Sequence, residues 1–262
     1  MTNVLDLFRL DGNVAIVTGA ARGLGRQSAL ALAEAGADVA ICDVLEPEGE
    51  QTSREIRAIG RRSLYAKVDA TKSEQINPFV EQVIDELGRI DILVNNVGIG
   101  SRGSSLEDED EDFWRHIIET NLSSMFYFAK PVVRKMIERR QGGVIINMAS
   151  MSSLIINHIT PRHNVCYCVS KAGVLHLTRG MASDWAPYNI RVNAIAPGYM
   201  MTQQTGWLRQ NPDVAERVLA NVPLMRWGQE DELKGAVVFL ASRASSFMTG
   251  SGLLIDGGTT IW

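Results

Sequence analysis

The sequence predicts an α/β protein: a single-domain, Rossmann-type, doubly wound parallel sheet of seven strands. Three observations predict it. Short β-rich runs alternate with longer segments of helical period along the whole chain. Several of those runs, such as VAIV at 14–17, ILV at 92–94 and GVIIN at 143–147, are apolar without interruption, as strands covered on both faces must be. The first run also passes directly into a glycine-rich turn and an alanine-rich segment, the opening of a βαβ unit.

Each element has its own signal. Val14–Thr18 is β-rich and ends at Gly19, and Ser28–Ala35 is rich in alanine and leucine and stops at Gly36. Asp38–Cys42 reads as the second strand, Glu48–Ile59 as a helix stopped by Gly60, and Ser63–Val68 as a weaker third strand. Glu74–Leu87 places Ile76, Phe79, Val80, Val83, Ile84 and Leu87 at helical spacing before Gly88, with Pro78 expected in the first turn. Ile90–Val94 is the fourth strand. Phe113–Arg139 reads as one long helix, opened by the acidic run Glu107–Asp112, where the helix dipole favours negative charge. Gly143–Met148 and Ile190–Ala196 are strands on either side of a helix at Val165–Ala186. Gln229–Ala241 is helical and Ser251–Asp256 is the last strand. The stretch 197–228, punctuated by proline and glycine, has no strand pattern and reads as a substrate-covering segment, placed around 198–228. No linker or repeat divides the chain, so residues 1–262 are expected to form one unit.

Composition narrows the function. With 45% hydrophobic and 21% charged residues the chain is ordinary globular material. A net charge of −4 and the lack of a basic tract argue against nucleic acid. No apolar run approaches the ~18 residues of a membrane span, and the N-terminus lacks the pattern of a signal peptide. Three cysteines, Cys42, Cys166 and Cys168, without framework spacing point to reduced thiols and a cytoplasmic protein. His116, His158, His163 and His176 have no metal-ligand spacing, so no metal is expected.

Two stretches carry chemistry. In TGAARGLG (Thr18–Gly25) the glycines fall at Gly19, Gly23 and Gly25. A tight turn needs a residue without Cβ, a backbone approaching a diphosphate must have no side chain in the way, and the following helix aims its N–H groups at the anion. Asp43 closes the second strand, where a carboxylate can accept hydrogen bonds from ribose hydroxyls. It would repel the 2′-phosphate of NADP by ~4 kcal/mol at ~4 Å and an effective dielectric of 20. Arg22, beside the turn, could hold that phosphate, but a directed contact from Asp43 favours NAD, with NADP the less favoured cofactor. Asp69 could accept from the adenine amino group, and NNVG (Asn95–Gly98) could line the cofactor and tie the central sheet. The second stretch is YCVSK, Tyr167 to Lys171. Four residues apart on a helix, a phenol and an ammonium share a face. Alone, that is a surface pair or a proton-transfer catalyst.

Together these motifs resemble the short-chain dehydrogenase/reductase family over nearly the whole chain. TGAARGLG resembles its TGxxxGxG, NNVG its NNAG with Val97 for alanine, and Pro197-Gly198 followed by Thr202 its PGxxxT. Asn121 in TNLSS, Ser150 in INMAS, and YCVSK resemble its active-site asparagine, catalytic serine and YxxxK. Within the family, SMSSLIIN (150–157), VNAIAPGY (192–199), PLMR (223–226) and DGGTTIW (256–262) resemble polyol and sugar dehydrogenases such as galactitol dehydrogenase. The interval from Ser150 to Tyr167 is longer than is usual there, and His158–Asn164 reads as an insertion.

The resemblance implies hydride transfer between NAD(H) and a secondary alcohol or ketone, on a polyol or sugar-like substrate. Alternatives are a ketoreductase for hydrophobic or steroid-like carbonyls and an NADP-dependent carbonyl reductase. It implies Asn121, Ser150, Tyr167 and Lys171 as catalytic residues. Gly19, Arg22, Gly23, Leu24, Gly25, Asp43, Asp69, Ala70, Asn96, Val97, Gly98, Tyr167, Lys171, Pro197, Gly198, Met200 and Thr202 would contact the cofactor. Ser150, Ser152, Asn157, His158 and Tyr167 would contact the substrate. Lys171 would lower the phenol's pKa from about 10 toward 7, about 4 kcal/mol, which one ammonium at ~4 Å can supply. Asn121 would interrupt its helix and hold a water linking Lys171 to solvent. Helices apolar on two faces and the Ile261-Trp262 tail, with the resemblance, imply a homotetramer.

Overall fold

The computed structural model describes residues 3–100, 105–156 and 164–261. Seven strands form one sheet: β1 (Val14–Thr18), β2 (Asp38–Asp43), β3 (Ser63–Lys67), β4 (Ile92–Asn95), β5 (Gly143–Met148), β6 (Ile190–Pro197) and β7 (Gly252–Ile255). Every pairing is parallel, in the order β3-β2-β1-β4-β5-β6-β7. The chain winds outward from β1 to β3, then returns to the other side of β1 as β4. This reversal opens a crevice at the C-terminal ends of β1 and β4.

The helices are α1 (Gly23–Glu34), α2 (Glu46–Ala58), α3 (Ser73–Leu87), α4 (Glu111–Ile118), α5 (Ser124–Arg139), α6 (Val165–Trp185), α7 (Gly206–Gln210), α8 (Pro212–Ala220) and α9 (Lys234–Ala241). One face of the sheet is covered by Phe79, Val83, Phe128, Val132 and Met181 from α3, α5 and α6. The other is covered by Ala29, Leu32, Ile56, Val237 and Leu240 from α1, α2 and α9. Burial on both faces is why β1 is buried at all five positions and reads as an unbroken apolar run. Each large side chain so buried contributes about 1.5–3 kcal/mol. Phe79 and Phe128 meet edge-on, with centroids 6.4 Å apart.

Polar ties hold the central strands in register. The Asn95 amide donates to the Asn147 carbonyl oxygen at 2.9 Å, and Asn147 Nδ2 donates to Thr178 Oγ1 at 2.9 Å, joining β4, β5 and α6 through buried groups. At the N-terminal edge, Asp91 accepts from the Val14 N–H and pairs with Arg89 and Arg139.

Several boundaries depart from the sequence reading. The long helix is two: α4 and α5 meet through a π-turn at Glu119–Ser123. The acidic run does open α4, with the Asp110 carboxylate accepting from the Phe113 N–H at 2.8 Å. α1 starts at Gly23, inside the glycine turn, because the turn residues themselves form its first turn. Pro78 lies in the second turn of α3, which begins at Ser73. The last helix is preceded by a 3-10 turn, Glu230–Leu233. The segment after Pro197 contains α7 and α8, and Met200 makes a single parallel bridge with Gly228.

Candidate active site

A cleft of about 930 Å³ runs along the C-terminal ends of the strands. At one end lies the glycine turn. Gly19 and Gly23 have φ of +64° and +58°, values that side chains with Cβ avoid. A Cβ on Gly25 would stand 2.1 Å from the Gly19 carbonyl oxygen and 2.4 Å from Asn96 Nδ2. Asn96 explains this crowding: its amide donates to the Thr18 and Gly19 carbonyls at 3.2 and 2.9 Å, and its N–H donates to Thr18 Oγ1 at 3.0 Å. The end of β4 is thereby fastened to the turn after β1. α1 has no side-chain cap at its N-terminus among the described residues, and its first two residues, Gly23 and Leu24, line the cleft.

Asp43 lies where β2 ends. Its Oδ2 accepts from the Ala21 N–H at 3.0 Å and its Oδ1 from the Leu45 N–H at 3.1 Å. Two backbone donors fix the carboxylate's direction at the cleft wall and leave acceptor capacity on each oxygen. Arg22 is exposed and has no ion pair among the described residues, whereas Arg26 is paired with Glu55 at 2.7 Å and Lys67 with Glu46 at 3.5 Å. Asp69 Oδ1 accepts from the Thr71 N–H and hydroxyl, which orients it at the cleft wall. The cradle, the uncapped helix and the oriented carboxylate together fit a dinucleotide.

At the other end, Ser150, Tyr167 and Lys171 converge on the cleft. Ser150 is buried, and its Oγ accepts from the Ser152 N–H at 3.1 Å, which caps the turn Met151–Ser153. Lys171 is buried; its ammonium donates to the Met148 carbonyl at 2.8 Å and lies 5.9 Å from the centre of the Tyr167 ring. A Cβ on Gly98 would come within 3.2 Å of Lys171 Nζ and 3.4 Å of Asn121 Oδ1, so glycine there makes room for both.

The electrostatics correct one expectation. Burial pushes the Lys171 ammonium down to about 8. Burial also raises the Tyr167 phenol, and the nearby Cys168 adds to this. Hydrogen bonds with Ser150 and Gln204 oppose the rise without overcoming it. In the protein alone the phenol is therefore not made acidic, because its burial outweighs the hydrogen bonds that favour its ionised form. A further positive charge in the cleft would lower the phenol.

Asn121 is fully buried within the π-turn. Its Nδ2 donates to Ile99 O and Ser170 Oγ, both at 3.0 Å, and its Oδ1 accepts from the Ile99 N–H at 2.7 Å. It lies behind the cleft wall and anchors the loop after β4 to α6. Gly25 and Ser152 also lie off the cleft surface; they shape the turn and hold Ser150. The other proposed cofactor residues all line the cleft. Asn157 and His158, with the rest of the insertion up to residue 163, lie outside the described residues. Sequence reasoning missed His116, Gln203, Gln204, Thr205 and Glu230, which also line the cleft. The QQT run directly after Thr202 was a readable signal; His116 and Glu230 arrive from distant elements and carried none.

Residues 19–260 match the family model described as enoyl-(acyl carrier protein) reductase. The chain is 40% identical to a 2-dehydro-3-deoxy-D-gluconate 5-dehydrogenase of Escherichia coli, covering 97% of this chain and 98% of that one. It is 38% identical to a galactitol 2-dehydrogenase of Rhizobium johnstonii, covering 97% and 98%. Among solved structures, a gluconate 5-dehydrogenase from Burkholderia cenocepacia in complex with NADP and tartrate superposes with a TM-score of 0.93 at 38% identity, covering 99% of this chain and all of that one. This chain belongs to the short-chain dehydrogenase/reductase family and is an NAD(P)-dependent oxidoreductase of CH–OH groups.

Proposed function

We propose that this chain is an NAD-preferring dehydrogenase that oxidises a secondary hydroxyl of a polyol or sugar-like molecule, and runs the reverse reduction. The observation that carries the reading is the convergence of Ser150, Tyr167 and Lys171 at one end of a cleft whose other end is a glycine cradle with an oriented carboxylate. The nicotinamide cofactor, when bound, accepts or supplies the hydride. The protein's own groups handle the proton. Tyr167 takes the hydroxyl proton of the substrate as its carbon loses hydride. Ser150 donates a hydrogen bond to the same oxygen and stabilises its developing charge. Lys171 stabilises the phenolate, and the donors it does not give to Met148 are free for a ribose hydroxyl. Asn121 positions α6 through Ser170 and supports this pair from behind.

Gln204, hydrogen-bonded to Tyr167, with His116 and Gln203 on the same cleft, suits a polyhydroxylated molecule, in keeping with relatives named for sugar acids and a polyol. The segment around 198–228 covers that end, with Arg209 tying it together through Thr205 Oγ1 and the Thr202 carbonyl. NAD preference follows from Asp43, which two backbone N–H groups hold in place so that it cannot swing away from a 2′-phosphate. The neighbouring Val44 and Leu45 provide no cation. The NADP in the Burkholderia structure makes Arg22 the residue to test against Asp43. Three buried thiols are in keeping with a cytoplasmic enzyme.

Assembly as a homotetramer is part of the same reading. Between α6 and α5 with the π-turn before it, a groove is lined by Leu122, Phe126, Tyr127, Gly173 and Leu177, and Phe126 is 46% exposed. A second copy laid on this face would cover it, and the terminal segment with the exposed Ile261 would lie near another copy's substrate mouth.

Tyr167→Phe keeps the ring and removes the proton carrier, so oxidation with NAD should fall by about 10²–10⁴-fold while NADH binding persists. A variant retaining more than about a tenth of the rate would remove Tyr167 from proton transfer. The ratio of kcat/KM for NAD over NADP should exceed about tenfold and should narrow in Asp43→Ala. Equal efficiency with both cofactors in the unaltered protein would show that Arg22 prevails. Light scattering should give about four times the 28.8 kDa of one chain; a monomer mass would rule the assembly out.

A further inference from the structure

Glu230 opens the 3-10 turn that packs against α1 and α9. It is half-buried, and its carboxylate lines the cofactor cleft. Its Oε1 stands 3.8 Å from the point that a Cβ on Gly23 would occupy. A negative charge thus faces the glycine turn and the N-terminus of α1, the part of the cleft built to attract the cofactor's diphosphate.

Its neighbours on the same turn are accounted for. Glu232 is paired with both terminal nitrogens of Arg226 at 2.6 and 2.7 Å, Lys234 is paired with Glu34 at 2.7 Å, and Asp231 is exposed. The Glu230 carboxylate itself has no hydrogen bond or ion pair among the described residues. The cations that act on it are Arg26 from α1 and Arg209 from α7, and Arg22 precedes α1 on the same cleft. Arg26 is held by Glu55, and Arg209 is held by Thr205 and Thr202 and lies 5.7 Å from the Trp227 ring. None comes within ion-pair distance of Glu230. Burial raises the carboxyl above its ordinary range, and Arg26 and Arg209 only partly offset this.

We propose that Glu230 is a proton-linked brake on cofactor binding: ionised, it opposes the diphosphate, so the cofactor binds with uptake of a proton at this carboxyl. The proposal rests on the reading of this cleft as a dinucleotide site. The sign follows from linkage. An anion beside the carboxyl favours its protonated form, so the carboxyl binds protons more tightly in the complex than in the free protein. Affinity is then highest where Glu230 is already protonated, and falls as pH rises through the interval between its two values. Above that interval the ionised carboxylate loosens the cofactor and favours its release after each turnover.

The test is an NADH fluorescence titration of the full chain, Glu230→Gln and Glu230→Ala between about pH 5 and pH 7.5, with calorimetry in two buffers of different ionisation heat. The other titratable groups of the cleft, Asp43, Asp69, His116, Tyr167 and Lys171, are common to all three proteins, so the differences isolate Glu230. At the upper pH both variants should bind NADH about threefold to tenfold more tightly than the unaltered chain. Their profiles should be flatter, and the proton uptake seen with the unaltered chain should be lost. Variants that bind NADH no better, or that keep the pH profile and the proton uptake, would overturn the brake and leave the dinucleotide reading standing. An unaltered chain that binds no NADH at any pH would overturn both.

Discussion

The close approach at the sheet's reversal is the constraint on which the cleft depends. Where β1 ends and β4 returns beside it, Gly19, Gly25 and Asn96 occupy a space that admits no further side-chain atom. The Asn96 amide bridges two successive carbonyls of the turn, so the C-terminal ends of the two strands are fastened together by side chain and backbone at once. The cofactor cradle is the outer surface of that junction. α1 starts inside the turn, so Gly23 and Leu24 of its first turn line the cleft.

From that junction the catalytic end is set by a second chain of contacts. The strands β4 and β5 are joined through Asn95 and Asn147, and Asn147 reaches Thr178 on α6. α6 carries Tyr167 and Lys171, and Lys171 returns to the end of β5 through the Met148 carbonyl. Asn121, in the π-turn, joins α6 to the loop after β4. The phenol and the ammonium are therefore held by groups that cannot relax independently. Their burial opposes ionisation of both. The protein alone keeps the proton on Tyr167, and a positive nicotinamide in the cleft would favour its release.

Much of this was legible in the sequence because its causes are local. Unbroken apolar runs reported strands buried on both faces, and TGAARGLG reported a turn where backbone must replace side chain. YCVSK reported a helical pair by spacing alone, and Asp43 was readable because a strand's last residue has a fixed place beside the turn. What failed has a common reason. The π-turn at Glu119–Ser123 leaves the apolar period of α4 and α5 almost continuous, so the two read as one helix. Asn121 does interrupt its helix, as the sequence reading expected, but its side chain binds Ile99 and Ser170 behind the cleft wall, and the Ser152 N–H binds Ser150 Oγ; neither contact is reported by a local pattern. Glu230 and His116 enter the cleft from remote elements, which no local pattern reports.

The state of the Tyr167 phenol with and without cofactor tests the account most directly. Ultraviolet difference titration of the unaltered chain against Tyr167→Phe isolates this one tyrosine among the five. In the free protein it should ionise above the ordinary phenol value of about 10, and with NAD⁺ bound the value should fall by at least about one unit. A phenol that is already acidic in the free protein, or whose titration is unmoved by NAD⁺, would contradict the account.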